Sequence, residues 1–425
     1  GSRLGPLLWI MYYNDILEGL ESEVLIFADD ICIFAQGNTP EETSQILNND
    51  LAKISDWALK WKVNFNPGKT KNMLFSNKTF LNNPDIFFNN TLVKQVSEHK
   101  HLGIWLTPTL CWSKQIHEIC LRANSKLAVL RSVSYLSRST LDLLYKLQIR
   151  SVIDYGLPIY YHNLKQSDIY RLNQIQYRAG KLVSGALHFT SSKKLFLELG
   201  WEELSCRAKY LGLSMFHKIH LGLTRPLVKS CMPSLRVNHN NTRVTISYEK
   251  FPQKSVQFSK SFFPYFFMLW SSHNKNIKCN TDFTNFKENI SCLYKPIKKR
   301  HFKYGSKIGN RYLTHLRVGR SFLNSHRYVT GLSENEICPK CNENKTENIC
   351  HFVFICPMFN LPRASLISKI TQLVPNFPTL SMKNKLDLLL NGINTKNNID
   401  DCRNVPIMFA MQSYILSTKR FEKQP

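Results

Sequence analysis

Residues 24–34 read VLIFADDICIF, two apolar runs on either side of an adjacent acid pair, Asp29 and Asp30. Runs rich in Val, Ile and Phe form strands, and Asp tolerates turn backbone better than most residues. The spacing predicts a strand, a tight acidic turn and a second strand. Such strands would hold the turn at a sheet end, with both carboxylates projecting from it. Like charges side by side repel, and a divalent cation between them and a phosphate relieves the repulsion. Two Mg²⁺ ions about 4 Å apart, held this way, stabilise both the attacking and the leaving oxygen in phosphoryl chemistry. A solvated Asp-Asp hairpin turn has the same sequence, so the surrounding segments must decide.

Downstream, Thr39, Pro40 and Glu42 make a capping box with proline at the first helical position. Ile46, Leu47, Leu51, Ile54, Ala58 and Trp61 then recur at helical spacing. Trp57 and Trp61 share that face and read as core. Asn66-Pro67-Gly68 ends the pattern. Met73–Phe75 and His101–Leu106 (HLGIWL) read as short strands. From residue 113 to about 230 the pattern is mainly helical, with Ile116, Ile119, Cys120, Ala123, Leu127 and Leu130 on one face. Thr140 is the expected cap of the next helix, through Leu143, Leu144, Leu147 and Val152. Residues 231–290 are rich in Asn, Ser and Phe and read as a variable connector.

Between Glu288 and Glu334 there is no acid. That stretch holds Lys295, Lys298, Lys299, Arg300, Lys303, Lys307, Arg311, Arg317, Arg320 and Arg327, interleaved with Tyr and Phe. Lys and Arg neutralise phosphates and aromatics stack on unpaired bases, so the run is the expected nucleic-acid contact. Cys338, Cys341, His351 and Cys356 follow as C-x2-C-x9-H-x4-C. Three thiolates and one imidazole fill a tetrahedral Zn²⁺ shell, which makes the expected site structural, with no open position for catalysis. Cys350 breaks the spacing and is a competing ligand. His217 and His220 read as ordinary surface or core residues.

The whole chain agrees with a polyanionic partner. Its 425 residues carry 56 Lys and Arg against 30 Asp and Glu, a formal charge of +26. A hydrophobic fraction of 43% is globular composition. No run of 18 apolar residues exists, so a membrane partner is not expected. The cysteines are scattered rather than paired at framework spacing, which points to a reduced, intracellular compartment. No targeting signal is readable.

Four segments, GSRLGPLL (residues 1–8), FADD (27–30), NFNPGKTK (64–71) and HLGI (101–104), occur in an order and spacing that resembles reverse transcriptases of non-LTR (LINE-type) retrotransposons, nearest the jockey-like group. The resemblance implies an RNA-directed DNA polymerase. It makes Asp29 and Asp30 two of three catalytic, Mg²⁺-binding acids, and Lys69 the lysine that assists pyrophosphate departure. His101, Leu102 and Gly103 match the primer grip, with His for the usual Tyr. In the family the third acid and the fingers lie before the GSxLGPLL segment. The chain opens at Gly1, inside that segment, so it is expected to be a C-terminal fragment, with an incomplete two-metal site and no activity alone. Asp15 is a poor substitute for the third acid. Tyr145–Tyr161 and Arg311–Leu332 look like the family's post-palm and pre-zinc segments. Thr346-Glu347, His351 and Cys356-Pro357 resemble its terminal E-T-x-x-H-x-L-x-x-C-P pattern, with T-E for E-T.

The expected fold is α+β: a partial right-hand polymerase palm (1–110), a mainly helical thumb-like region (111–230), the connector (231–290), a basic region with a zinc knuckle (291–360) and a helical tail (361–425). The palm should leave an exposed apolar edge. Implied partners are RNA template, DNA primer, target DNA and deoxynucleoside triphosphates, in the nucleus and cytoplasm of the parent element's host. The rival reading is a non-catalytic nucleic-acid-binding remnant that keeps the zinc module.

Overall fold

The computed structural model describes all residues except 1–3, 77, 79–83, 241–242, 253–254, 274–279, 297–298, 394–401 and 423–425. The fold is mostly helical with few strands. It divides into two compact units, residues 1–115 and 116–425.

The first unit contains α1 (Leu4–Tyr12), β1 (Glu23–Phe27), β2 (Asp30–Phe34) and α2 (Pro40–Trp61). β1 and β2 pair antiparallel, with Phe27 opposite Asp30, so the connecting turn is Ala28-Asp29. Two-residue hairpin turns need positive φ to match strand twist. Here Ala28 supplies it, at φ +56°, where an Asp would have been the expected residue. α2 starts as its capping box requires: Thr39 Oγ1 accepts from Glu42 N–H at 3.2 Å. The Glu42 carboxylate reaches back to Asn38 N–H, at 2.9 Å. Leu51 and Ile54 join Tyr13, Ile16, Ile86, Phe88 and Val93 in a small core. Trp61 lies instead at the surface, 38% exposed, in an aromatic group with Tyr12 and Trp57.

Two strand expectations need correction. Lys71–Asn72 forms a strand, whereas Met73–Phe75 does not. HLGIWL is not one strand: His99–His101 pairs with Ile104–Leu106 around a Leu102-Gly103 turn. Both turn residues have positive φ, which Gly103 provides without steric cost. Among the described residues every sheet has two strands. β1 and β2 leave Leu25, Phe27 and Phe34 exposed.

Among its described residues the second unit is helical apart from the Leu235–Asn240/Arg243–Tyr248 hairpin and one isolated bridge. In helix Ser113–Ser132, Ile116, Ile119, Cys120, Ala123, Leu127 and Leu130 are all buried, as their spacing requires. The next face departs from expectation. Ser137, not Thr140, caps helix Arg138–Leu144. Leu143 and Leu147 are exposed, and Leu141, Tyr145, Ile149 and Ile153 are buried. A π-helical segment, Tyr145–Arg150, explains the shift. Four residues overshoot an α-helical turn by about 40°, and the wider i→i+5 turn keeps every fourth residue inward.

The expected connector also contains folded core. Helices Phe262–Ser272 and Phe283–Tyr294 bury Phe266, Phe267, Trp270, Phe286 and Ile290 with Tyr210, Leu213 and Phe216 of helix Leu204–His220. Gly212 permits this: a β-carbon there would stand 1.9 Å from the Phe266 ring. The C-terminal residues are not a separate tail either. Ile407, Met408, Met411, Tyr414 and Phe421 share one core with Phe352, Phe359, Leu313 and Cys338, Cys341 and Cys356.

Candidate active site and metal centre

The acidic pair sits where hairpin physics places it. Asp29 is in the turn, Asp30 opens β2, and both are exposed. Trp9 Nε1–H donates to the Ala28 carbonyl at 3.1 Å and pins the turn to α1. Burial, then Tyr12 and Asp29, raise the Tyr13 phenol above its ordinary value. Burial, then His101 and Lys71, lower His99, against the opposing pull of Asp30. Among the described residues no third carboxylate joins the pair in a metal-sized cluster. Asp15 is committed elsewhere: its Oδ1 accepts from Trp57 Nε1–H at 2.9 Å. Lys69 is exposed in a turn closed by Asn66, whose carbonyl and side-chain oxygen accept from Lys69 N–H at 3.1 and 3.2 Å. His101 lies in its short strand, stacked on His99 at 6.3 Å between ring centroids. Leu102 and Gly103 form the turn beyond it.

The cysteine and histidine group is built differently. Cys338, Cys341, His351 and Cys356 bring one ligand atom each within 4.8 Å of one another. Cys338 Sγ and Cys356 Sγ are 4.0 Å apart, and Cys341 Sγ and His351 Nε2 are 3.5 Å apart. Tetrahedral Zn²⁺ with Zn–S about 2.3 Å and Zn–N about 2.0–2.1 Å sets these separations near 3.8 and 3.5 Å. The donor set therefore fits the ion. Cys350 lies outside the group.

Local backbone explains the placement. The Cys338–Cys341 side is a narrow ribbon: Cys338 N–H donates to Lys345 O at 3.0 Å, and Glu347 N–H to Glu336 O at 2.8 Å. His351–Ile355 forms a π-helical turn, and Cys356 N–H closes on His351 O at 2.8 Å. Burial pushes the Cys356 thiol up to about 12, against a backbone hydrogen bond at Met358; Cys338 and Cys341 add to the rise. Burial also raises Cys338. A dication reverses this preference, because thiolates become its ligands and protons are released.

Two further residues support the group: Glu347, which the sequence marked only through the Thr346-Glu347 resemblance, and Arg420, which nothing in the sequence marked. Glu347 is fully buried, and its two oxygens accept from Arg420 at 2.6 Å each. Glu347 also accepts from Asn324 N–H at 2.7 Å, and the Cys338 thiol points at its Oε1 from 3.9 Å. Arg420 is 73 residues away in sequence, too far for spacing to reveal.

The basic run is only partly free. Arg317 is buried: it pairs with Glu198 at 2.6 Å and donates to Leu390 O at 2.8 Å. Arg138 and Thr314 share that carboxylate. This removes Arg317 from the expected nucleic-acid contacts. Lys295 lies 3.8 Å over the Tyr210 ring, Lys299 caps the Phe302 ring, and Lys303 pairs with Asp142 at 3.4 Å. Lys307 donates to Ser134 O and Arg327 to Leu332 O. Lys298 and the Arg300 side chain lie outside the described residues. His217 is buried, between Trp270 Nε1–H at 3.2 Å and the Asn280 carbonyl at 2.8 Å. Among the described residues no helix is long and apolar enough to cross a membrane.

Comparison with known proteins bears on this layout. Residues 1–106 match the family model of reverse transcriptase (RNA-dependent DNA polymerase). A probable RNA-directed DNA polymerase from transposon X-element of Drosophila melanogaster is 29% identical over 209 residues, 47% of this chain and 23% of that protein. The RNA-directed DNA polymerase from mobile element jockey of Drosophila funebris is 26% identical over 211 residues, with the same two shares. A Pol polyprotein from type-1 retrotransposable element R1 2 of Nasonia vitripennis is 30% identical over 124 residues, 27% of this chain and 30% of that protein. The chain thus spans about a quarter of the length of the first two relatives. Residues 1–106 of this chain thus match the reverse transcriptase family, and the chain is similar to the polymerases of jockey and X-element retrotransposons.

Proposed function

We propose that the chain carries palm, helical, basic and zinc-bearing regions of an RNA-directed DNA polymerase of a non-LTR retrotransposon. The observation that carries this reading is the FADD turn, presented on a hairpin inside the family-matched segment. Asp29 and Asp30 would hold Mg²⁺, which supplies charge stabilisation to the attacking and leaving oxygens. The third carboxylate comes from the segment the family carries ahead of GSxLGPLL. Lys69 attends the leaving pyrophosphate, and the His101–Gly103 turn contacts the primer end. The palm is residues 1–110, followed by helical, basic and zinc-bearing regions. Cys338, Cys341, His351 and Cys356 hold one structural Zn²⁺, which the sulfur and nitrogen separations support. Partners are RNA template, DNA primer and target, and deoxynucleoside triphosphates.

The test is primer extension on an RNA template. With the fingers segment of a jockey polymerase joined ahead of it, the chain should extend the primer, and Asp29→Ala or Asp30→Ala should then reduce extension at least about 10³-fold. Extension that survives Asp29→Ala overturns the assignment.

A further inference from the structure

We propose that Lys194, Arg311 and Arg320 form a composite single-stranded nucleic-acid contact, assembled from two segments more than 100 residues apart. The inference rests on the nucleic-acid reading above and deepens it. It replaces the linear run of ten cations with a surface the fold selects.

Most of the run is consumed by internal partners, as described. Arg311 and Arg320 are not: neither has an ion pair among the described residues. A third free cation arrives from outside the run. Lys194 is exposed near the start of helix Ser192–Leu199. The segments meet through His315, whose ring bonds the Gly185 carbonyl at 2.8 Å. Gly185 is left-handed at φ +69°, and a β-carbon there would stand 2.7 Å from Arg311 Nε. Gly319 is one residue before Arg320, and a β-carbon built on it would stand 3.5 Å from Lys194 Nζ. Arg311 and Arg320 therefore both lie beside the 185–194 segment.

The local field agrees. Burial depresses His326, and Arg320 and Lys194 depress it further. His315 is likewise lowered to about 4 by burial, with Arg311 adding to it against the Gly185 bond. Unpaired cations that raise the potential over a shared patch attract phosphates rather than one another. Exposed rings lie in the same two segments: Phe189 is 78% exposed within residues 185–194, and Phe322 is 36% exposed two residues past Arg320. Exposed rings next to free cations suit unpaired bases, which stack, better than a duplex or an acidic protein surface.

Fluorescence anisotropy on the full chain tests this, with a labelled 20-nucleotide single-stranded RNA, the matching duplex and poly-glutamate as probes. Lys194→Glu/Arg320→Glu should weaken single-strand binding at least about tenfold and reduce the salt slope by about 1.4, at about 0.7 per lost phosphate contact. Lys194→Gln/Arg320→Gln should show the same direction and serves if the charge reversal perturbs folding. The charge-matched control Lys369→Glu/Lys383→Glu, on exposed sites elsewhere, should change affinity less than about twofold. Phe189→Ala should weaken single-strand binding and leave duplex binding unchanged. If the unsubstituted chain binds no RNA, the nucleic-acid reading itself fails. If it binds and the patch variant equals the control, only this surface is overturned. Equal losses toward poly-glutamate and RNA would make it a general anion surface and also overturn the assignment.

Discussion

The acidic turn and the cysteine-histidine group are opposite kinds of site. Asp29 in the two-residue turn and Asp30 at the start of β2 are both exposed, on strands that also leave Leu25, Phe27 and Phe34 exposed. The four Cys and His ligands are buried, inside the same core as Phe352, Ile407 and Tyr414. Around the acids, support comes from one tryptophan bond to the turn backbone. Around the Cys and His group, Glu347 and Arg420 brace the ribbon, and Arg363 braces the His351–Cys356 turn, donating to Val353 O at 2.9 Å. An exposed turn leaves room for a substrate and for metal-bound phosphate. A site that only holds a metal can be sealed by packing. That packing gives the Cys338–Cys356 segment a core beyond its four Cys and His side chains.

The largest effect expected from the contrast is on metal content. Cys338→Ser/Cys341→Ser should bring bound zinc from one equivalent to near zero, read by elemental analysis of purified protein. Because the segment is embedded in core, helical circular dichroism should remain, with local amide exchange rising over residues 335–360. Global unfolding of the second unit in this variant would show that the metal, and not packing, carries the fold there. Zinc near zero in the unsubstituted protein after zinc-replete expression would remove the site altogether.

Next in size is Arg420→Ala. Its side chain is 9% exposed and Glu347 is 1% exposed. Removing the cation strands a buried carboxylate beside the Cys338 thiol, at a cost of about 3–5 kcal/mol. Thermal unfolding should register it, and chelator competition should show weaker zinc retention. Lys345→Ala breaks the exposed pair with Glu343, at 2.9 Å, and should be nearly neutral. Equal effects from the two would mean that burial is not what makes the Glu347 pair matter.

The two regions also differed in how much the sequence disclosed. The FADD hairpin, the Thr39 cap and the C-x2-C-x9-H-x4-C spacing are local patterns, legible because a few adjacent residues determine them. The Leu143/Leu147 face was misread because a π-helical turn leaves no periodic mark distinct from a slightly shifted α-helix. HLGIWL looked like one strand because Gly103 was read as interior rather than as a turn residue. The aromatic core of residues 262–294 was hidden because its partner, Gly212, lies some 50 residues earlier. Arg317 looked like a phosphate contact because nothing near it announces Glu198. Long-range pairing decided each of these.

A smaller effect concerns pH. Burial holds His217 and His315 at about 4, against partial compensation from their backbone bonds. Unfolded histidines titrate near 6.5. The folded-state values are depressed, so the neutral-histidine contribution is fully present above pH 6.5 and is lost as pH falls from 6.5 toward 4. The melting temperature of the second unit should fall over that window. His315→Gln keeps a donor for the Gly185 carbonyl and should flatten the fall. An unchanged slope in this variant would assign the pH dependence to other groups.

The smallest effect returns to the acidic turn. Ala28 holds φ +56° between β1 and Asp29, a left-handed conformation that costs a residue with a β-carbon roughly 1–2 kcal/mol. Glycine removes that strain but gains freedom in the unfolded chain, which offsets about 0.4–1 kcal/mol. Ala28→Gly should therefore stabilise the hairpin by at most about 1.6 kcal/mol, read as slower amide exchange across β1 and β2. The Trp9 bond accepts on the Ala28 backbone carbonyl, so the substitution leaves it in place. No comparable gain is available at the Cys and His ligands, where the backbone is held by burial. If Ala28→Gly instead loosens the hairpin, the left-handed turn is not the conformation that presents Asp29 and Asp30.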